Sequence, residues 1–375
     1  MLRVVRWVVV SCLALLFIIA PQLTALPTSG ASPSAIVEAK YFSQGFSPDQ
    51  VAAAAGAIWQ MSSGPTGVDY GTGCRMGRLD PITMALTIYP IPRCGMNVTA
   101  GNGALFLETT TADAKTESYA IRIERFSTST HLATILSALS TTLFLGSDIA
   151  HTQLGYYDGS LWLFATPKAS SSPQLLQLSP ATGAVEWTYV DVPKIGGTEP
   201  IILAAAGYLW LAGGAGAGAD FMRINVRTHA QRLIRPAGNY VSVYNMVSVN
   251  KQIYFAYLEP SSGTTSAGSL TSHVAHLSPS GAVVARSPNE QVGSWLVGLG
   301  GKLFSVGPSG SCTSGLRLWS INEETLRTTP VADLKTPGNA CIGGSIYRQV
   351  AAVNDAVFDL YDGGSWAVLY RVTRL

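Results

Sequence analysis

Charged residues are scarce in this chain. Lys, Arg, Asp and Glu make up 12% of its 375 residues, with 24 basic against 22 acidic side chains, and this is about half the charged share of an average soluble protein. A nearly neutral chain lacks the basic surface that phosphate backbones require, which argues against a nucleic-acid partner. Hydrophobic residues reach 47%, and 38 Gly with 20 Pro indicate many turns. The composition favours a turn-rich β protein with a large core.

The N-terminus lacks an apolar run long enough for an ordinary membrane span. Residues 7–20 form a run of 14 residues that follows Arg3 and Arg6, whereas a spanning helix needs roughly 20 residues. A basic stretch, a short apolar run and small residues near position 31 are typical of a secretory signal peptide. Loss of the two arginines would leave equal numbers of basic and acidic residues.

We therefore predict that residues 1–31 are a signal peptide or an N-terminal anchor and that residues 32–375 form a single domain. An uncleaved anchor at residues 7–20 and lipidation at Cys12 are the alternatives to cleavage. The predicted location is extracytoplasmic, either secreted or periplasmic, and contact with a membrane is expected only through an uncleaved anchor.

Recognisable catalytic and metal-binding motifs are missing. The sequence has no G-x-S-x-G, no H-E-x-x-H, no complete calcium loop and no C-x-x-C spacing. None of its five histidines belongs to a Glu-x-His or His-x-Glu element. The sequence thus predicts no catalytic residue, no metal ligand and no cofactor.

A repeat with a period of about 50 residues dominates the sequence. An aliphatic residue followed by an aromatic one recurs seven times. The two residues at four and three positions before the aromatic are, in chain order, Ala-Gly, Asn-Gly, Asp-Gly, Ala-Gly, Asn-Lys, Gly-Gly and Asn-Asp. Such pairs tolerate the positive φ angles of a tight hairpin turn. The aromatic anchors are Trp59, Phe106, Trp162, Trp210, Tyr254, Phe304 and Phe358.

Each copy also has an apolar residue eight positions before its anchor, and a second pair of predicted strands follows each anchor. Four strands per unit, repeated seven times, predict an all-β, seven-bladed β-propeller of four-stranded blades. The seventh copy ends with its third strand. We predict that the segment at residues 35–43, which has strand character, supplies the missing strand and closes the ring.

Two stretches carry a resemblance to known repeats: "GSLWLF" with "LLQLSPATGAVEW", and "GAIWQM" with "MGRLDPITMAL". They resemble bacterial extracytoplasmic seven-bladed propellers of the YVTN and streptogramin-lyase-like families, with a weaker similarity to PQQ-like repeats. The resemblance implies the fold over nearly the whole domain. Lyase-like enzymes of this kind use a Glu-x-His element that this sequence lacks. PQQ-like repeats have a tryptophan near the end of most copies, a position that only Trp187 matches here.

Carboxamides recur nine positions before the anchors, where the predicted inner strands begin. This column favours hydrogen bonding to a neutral polar ligand, or, alternatively, bonds that join neighbouring blades. Glu199 and Arg348 lie in nearby loops, and Trp295 offers an apolar platform in the same column. The predicted binding residues are Gln50, Asn97, Gln153, Asn245, Trp295, Gln349, Glu199 and Arg348.

The repeat frame also predicts how the four cysteines of the domain pair. Cys74 and Cys312 precede the third strands of copies one and six, while Cys94 and Cys341 follow the fourth strands of the same copies. We expect the disulfides Cys74–Cys94 and Cys312–Cys341, in a compartment where disulfides persist.

These observations predict a monomeric binding module for a polar small molecule, a glycan or a protein. The functional face is expected where the inner strands begin, because the loops there vary most. The alternative is a lyase-like or hydrolase-like enzyme with its site at the mouth of the channel.

Overall fold

Twenty-eight strands account for the regular structure of the computed structural model. It describes residues 35–42, 50–62, 74–93, 95–113, 118–144, 153–165, 173–189, 192, 201–213, 220–235, 242–260, 270–288, 293, 295–308, 315–334, 348–362 and 367–375. Within these residues the strands form seven antiparallel four-stranded sheets and no helix. Residues from Ala35 to Leu375 make one compact unit. The predicted seven-bladed propeller is confirmed.

Blades 1 to 3 follow one another along the chain. Blade 1 contains β2 (Gln50–Ala54), β3 (Ala57–Ser62), β4 (Arg75–Leu79) and β5 (Leu86–Pro90). Blade 2 contains β6 (Gly95–Gly101), β7 (Ala104–Asp113), β8 (Ser118–Ser127) and β9 (Ala133–Phe144). Blade 3 contains β10 (Gln153–Tyr157), β11 (Ser160–Ala165), β12 (Gln174–Leu178) and β13 (Val185–Tyr189).

Blades 4 to 6 repeat the same order. Blade 4 contains β14 (Ile201–Ala205), β15 (Tyr208–Gly213), β16 (Asp220–Ile224) and β17 (Gln231–Ile234). Blade 5 contains β18 (Ser242–Val249), β19 (Gln252–Pro260), β20 (Leu270–Leu277) and β21 (Val283–Arg286). Blade 6 contains β22 (Trp295–Leu299), β23 (Lys302–Pro308), β24 (Leu316–Ile321) and β25 (Thr328–Leu334).

The seventh blade joins the two ends of the propeller. It contains β26 (Arg348–Val353), β27 (Ala356–Asp362), β28 (Ala367–Thr373) and, as its outermost strand, β1 (Ile36–Phe42). Strand β1 pairs antiparallel with β28 from Ile36 opposite Thr373 to Phe42 opposite Ala367. The inner strand of each blade contacts that of the next, and β26 contacts β2. The predicted closing strand is therefore present, and it completes the seventh blade as a four-stranded sheet.

The packing between blades explains the repeated aliphatic and aromatic pair. Adjacent residues of a strand point to opposite faces of its sheet. Within blade 1, Ile58 packs against blade 7 and Trp59 packs against blade 2. The same division holds in every blade, so the buried residues form seven apolar clusters, one for each interface. One apolar pair per blade thus holds two interfaces of the ring.

The hairpins that join the first and second strands adopt the predicted tight turns. Ala55 and Gly56 have φ of 49° and 68°, and Asn102 and Gly103 have 49° and 70°. In blades that have a tryptophan anchor, its indole N–H donates to the last carbonyl of the inner strand, as Trp59 does to Ala54 O at 3.1 Å. The anchor therefore stabilises the hairpin as well as the interface.

The turns between the third and fourth strands share a second motif that sequence reasoning did not identify. Asp80 begins one of them, and its Oδ1 accepts the backbone N–H groups of Ile82 and Thr83 at 2.9 and 2.8 Å. These two bonds lower the pKa of Asp80. Asn225 and Asn322 repeat the arrangement. The signal in the sequence is a column of Asp, Ser or Asn at the first position of these turns.

In all but one of these turns the fifth residue has a positive φ, and in blades 2 and 4 it is a histidine that joins its blade to the blade before it. His131 has φ of 59° and stacks on Tyr89 of blade 1 at 4.0 Å, while His229 has φ of 57° and stacks on Trp187 of blade 3 at 4.1 Å. His229 Nδ1 also lies 2.8 Å from the hydroxyl of Tyr189. The resemblance of Trp187 to a PQQ-type tryptophan thus corresponds to a packing contact.

Candidate functional site

Both sets of tight turns lie at one end of the ring, so the first residues of the inner strands lie at the other. We call this second end the mouth face and define it by Gln50, Asn97, Gln153, Asn245 and Trp295. All five are neither fully buried nor fully exposed. The mouth face is the surface that the sequence predicted to be functional.

Two carboxamides of the mouth face join neighbouring blades. Gln153 Oε1 in blade 3 accepts the backbone N–H of Ile202 in blade 4 at 2.9 Å. Asn245 Oδ1 in blade 5 accepts the backbone N–H of Leu296 in blade 6 at 3.3 Å. At these two positions the geometry favours bonds that join neighbouring blades over ligand binding. Each side-chain carbonyl oxygen accepts a hydrogen bond from a main-chain N–H of the next blade.

Two inner strands begin two or three residues earlier than predicted, and a third, β26, begins one residue earlier. In blade 2 the strand starts at Gly95 and its register shifts between Gly95 and Asn97. In blade 5 it starts at Ser242 and its register shifts between Val243 and Asn245. A bulge adds one residue to one strand only. The repeat spacing therefore aligned the amides correctly, but it did not show that these strands continue beyond the bulge.

Asn97 makes a different contact from Gln153 and Asn245. Its Nδ2 donates to Oε2 of Glu108 at 2.8 Å, and Glu108 is fully buried. The two residues face each other in the pairing of β6 with β7, and they share the face of the blade that packs on blade 3. A buried carboxylate held by an amide therefore lies in the half of the blade nearest the mouth face.

Sequence reasoning missed Glu108, although a signal was present. It stands two residues after the anchor Phe106, and the equivalent positions of the other blades are uncharged. Those residues are Met61, Phe164, Ala212, Ala256, Val306 and Leu360.

A second buried glutamate of blade 2 has a structural role. Glu124 is 1% exposed and faces blade 1, where its Oε1 accepts Nη1 of Arg93 at 3.0 Å and the hydroxyl of Thr109 at 3.1 Å. Arg93 follows the last strand of blade 1, so this ion pair crosses the interface between blades 1 and 2. Removing either partner would leave the other charge poorly compensated.

Further buried polar side chains lie one residue after the anchors of blades 1, 6 and 7. Gln60, Ser305 and Asp359 occupy this position and are at most 1% exposed. In the part of the chain that the structure describes, neither amide atom of Gln60 nor the hydroxyl of Ser305 has a hydrogen-bond partner. Blades 1, 6 and 7 thus each bury one polar side chain at the same position of the second strand.

The remaining predicted binding residues are placed only in part. Trp295 is half-buried at the start of β22 and lies on the same face as Val297, which packs toward blade 7. Arg348 and Gln349 are the first residues of β26, and their side chains lie outside the described part of the structure. Glu199 lies outside the described residues altogether.

The cysteine pairing stays a prediction because Cys94, Cys312 and Cys341 lie outside the described residues. Cys74 is 2% exposed and directly precedes β4. Its carbonyl accepts the backbone N–H of Ile91 at 3.0 Å, which brings the chain to within three residues of Cys94. This contact is compatible with the expected Cys74–Cys94 bond.

Within the described ranges, no group of three or more His, Cys, Asp and Glu side chains could hold a metal ion. Among the same residues, no helix is long and apolar enough to cross a membrane.

Comparison with known proteins identifies the fold. The chain matches no protein-family model and no curated protein sequence. It is similar to the crystal structure of the polysaccharide lyase Uly1, with 11% identity, 88% and 90% of the two chains covered and a TM-score of 0.55. The β-propeller domain of the Trilobed protease from Pyrococcus furiosus, which has an open velcro topology, is similar over 91% and 94% of the chains at 10% identity and a TM-score of 0.52.

A third similar structure is that of BamB from Moraxella catarrhalis, at 10% identity over 86% and 84% of the chains with a TM-score of 0.48. The similarity to Uly1 and to the Trilobed protease domain supports the fold alone, because identities of 10–11% carry no activity with them. Taken with its own seven blades and closing strand, the chain is a β-propeller of the seven-bladed kind.

Proposed function

We propose that the protein is an extracytoplasmic propeller that binds a polar small molecule, a glycan or a protein at its mouth face and performs no chemistry there. The observation that carries the proposal is the pairing of half-exposed Asn97 with fully buried Glu108 at this end of the ring. The buried carboxylate fixes one side of the amide, so the group is oriented before a ligand arrives.

Trp295 supports the same surface. A half-buried tryptophan beside polar groups gives a mixed apolar and hydrogen-bonding platform, as sites for polar ligands commonly do. Gln153 and Asn245 hold the blades beneath this surface in register. We assign these two amides a positioning role and assign ligand contact to Asn97 and Trp295.

The N-terminal sequence supports the proposed location. Residues 1–31 combine two arginines, a 14-residue apolar run and small residues near their end, which is the organisation of a signal peptide or a short anchor. The near balance of basic and acidic residues supports a partner other than nucleic acid.

The competing function is a lyase-like or hydrolase-like enzyme at the mouth of the channel, and Glu108 is the residue that favours it. A buried carboxylate is suited to general acid or base catalysis when a second catalytic group faces the same substrate. We propose instead that Glu108 only orients the side chain of Asn97.

A thermal-shift screen of the purified domain separates these functions. The binding proposal predicts that a neutral oligosaccharide, a peptide or a quinone raises the melting temperature of the wild-type domain. It also predicts that Trp295→Ala removes this shift and that Lys251→Ala, a change in an exposed hairpin turn at the opposite end, leaves it intact. A stoichiometric divalent ion in the purified protein, together with stabilisation by that ion alone, would favour the enzyme.

A further inference from the structure

The second strand of blade 2 extends beyond the inner strand that it pairs with. Strand β7 pairs with β8 without a register shift as far as Asp113, which lies opposite Ser118. Its pairing with β6 ends at Thr109, opposite Gly95. Among the strands that the structure describes, residues 110–113 therefore have a neighbour on the β8 side only. We call the unpaired side of residues 110–113 the open edge.

An edge of this length is specific to blade 2 in the described part of the chain. In the other six blades the second strand continues for only one or two residues beyond its pairing with the inner strand. In blade 5, for example, the pairing ends at Leu258 and β19 ends at Pro260. Blade 2 also extends its outer strand, since Phe144 of β9 lies opposite Ser118. The open edge is thus the margin of a three-stranded sheet that projects past the mouth face.

The described residues that lead into β6 lie at the interface with blade 1 rather than along the open edge. The backbone N–H of Ile91 donates to the carbonyl of Cys74 in blade 1 at 3.0 Å. Arg93 Nη1 donates to Glu124 Oε1, on the face of blade 2 that packs against blade 1. Because both contacts direct the incoming chain toward blade 1, the line of β6 ends at Gly95.

Strand alternation shows which backbone groups point to the open edge. Asn102 and Gly103 form the two-residue turn between β6 and β7, and the residues that flank such a turn exchange both of their backbone hydrogen bonds. Ala104 and every second residue after it therefore direct their N–H and C=O groups toward the β6 side. The register shift in this pairing adds its extra residue to β6, so the alternation along β7 continues. At the open edge, Thr110 and Ala112 present these groups.

The open edge lacks three features that usually protect the margin of a sheet. Charges, prolines and bulges commonly prevent such margins from pairing with another chain. Thr110, Thr111 and Ala112 include no charge and no proline, threonine favours strands, and Asp113 stands only at the end of the edge. The opposite margin of the same sheet differs, because the register of β9 on β8 shifts at two places. Bulges thus interrupt the outer margin of blade 2, while the open edge is regular.

We propose that the open edge binds an extended segment of a partner protein, which adds a strand to blade 2 at the mouth face. Thr110 and Ala112 offer two N–H and two C=O groups with the spacing of a β-ladder, and a polypeptide backbone carries the same groups at the same spacing. The inference rests on the proposed function, because the open edge begins two residues after Glu108, the partner of Asn97. It specifies a protein as the ligand of that surface.

Fluorescence anisotropy with a labelled probe peptide tests the inference. The probe is a hexapeptide of alternating threonine and valine, and its match is the same peptide with every backbone nitrogen methylated. The wild-type domain should bind the probe. Methylation should weaken binding at least about tenfold, because the peptide then donates no backbone hydrogen bond. This comparison needs no variant of the protein.

Two substitutions at one position locate the binding. Ala112→Pro removes the N–H that faces the open edge and leaves the bonds to β8 intact, since these come from the alternate residues of β7. It should weaken probe binding at least about tenfold. Ala112→Val keeps the N–H and should bind the probe as the wild type does. Both variants should keep the wild-type melting temperature.

The inference is wrong if the probe does not bind the wild type, if the methylated peptide binds equally well, or if Ala112→Pro binds as tightly as Ala112→Val. A wild-type dimer in sedimentation velocity that Ala112→Pro converts to a monomer would assign the open edge to a second copy of the chain instead. If a saccharide or quinone stabilises the wild type but not Trp295→Ala while the probe does not bind, the proposed function stands and this inference alone fails. If neither the probe nor any compound of the thermal-shift screen binds, both fail.

Discussion

The side chain of Gln153 and the backbone of Ile202 are joined across the interface of blades 3 and 4 by a hydrogen bond of 2.9 Å. Asn245 and Leu296 are joined in the same way across the interface of blades 5 and 6. Blades 4 and 6 have Ile201 and Trp295 at the equivalent position. Their side chains have no oxygen atom that could accept a backbone N–H of the next blade. The amide contacts are therefore a property of particular interfaces rather than of the whole ring.

Replacing Gln153 with alanine should lower the free energy of unfolding by about 1 to 2 kcal/mol, because the N–H of Ile202 would lose its partner in a partly buried place. Urea unfolding followed by tryptophan fluorescence measures the change. Gln174→Ala, which alters a half-buried glutamine in the same blade, should cost less than about 0.5 kcal/mol. Equal losses in the two variants would show that the bond has no special value.

Two neighbouring residues of β1 test the register of the closing strand, because their side chains point to opposite faces of the sheet. Phe42 is 5% exposed and packs in the cluster between blades 7 and 1, whereas Tyr41 is 57% exposed. Phe42→Ala should cost about 3 kcal/mol of stability, and Tyr41→Ala should cost less than about 1 kcal/mol. If denaturation gave the reverse order, the register of β1 on β28 would be wrong.

Alanine substitutions at two glycines distinguish the cost of a positive φ from the cost of close packing. Gly207 has φ of 80° and open space where a Cβ would lie, while Gly281 has φ of 93° and meets Ile234. Gly207→Ala should cost about 1 kcal/mol for the positive φ alone. Gly281→Ala should cost about 1 to 3 kcal/mol more, because the new methyl group must displace Ile234. Thermal unfolding of both variants checks the difference, which would vanish if Ile234 could move aside without cost.

The stability of the protein should depend on pH through His276. Burial lowers its pKa below the ordinary value of 6.5, and its Nε2 lies 2.8 Å from Oε1 of Gln252. As pH falls through 6.5, the unfolded chain takes up this proton before the folded one does, so stability decreases.

We expect His276→Gln to have a shallower fall in the free energy of unfolding between about pH 7 and about pH 5 than the wild type. Urea denaturation curves at a series of pH values measure both slopes. Identical slopes would mean that His276 does not contribute to the acid sensitivity of the fold.

The fold was predictable from the sequence because it depends on short-range alternation. Pairs such as Ile58 and Trp59 recur in every blade, and the turns before them consist of residues that accept a positive φ. Closure by β1 also followed, since the last copy has only three strands. Local patterns of this kind need no knowledge of distant contacts.

The candidate site was less predictable because its residues are defined by contacts across strands and blades. The spacing aligned Asn97 with Gln153 but could not show that the first bonds to Glu108 within its own blade and the second to the next blade. The positive φ of His131 was equally hidden, since histidine carries no strong turn signal. Bulges and side-chain directions become known only when the strands are paired.

Hydrogen exchange of the domain, with and without a ligand found by the thermal-shift screen, is the sharpest test of binding at the mouth face. We predict that ligand slows exchange in peptides covering 95–100, 242–249 and 295–299, where inner strands meet the mouth face. Peptides covering the turns at 80–85 and 127–132, at the opposite end, should exchange as before. Slower exchange confined to those turns, with none at the mouth face, would contradict the proposed binding surface.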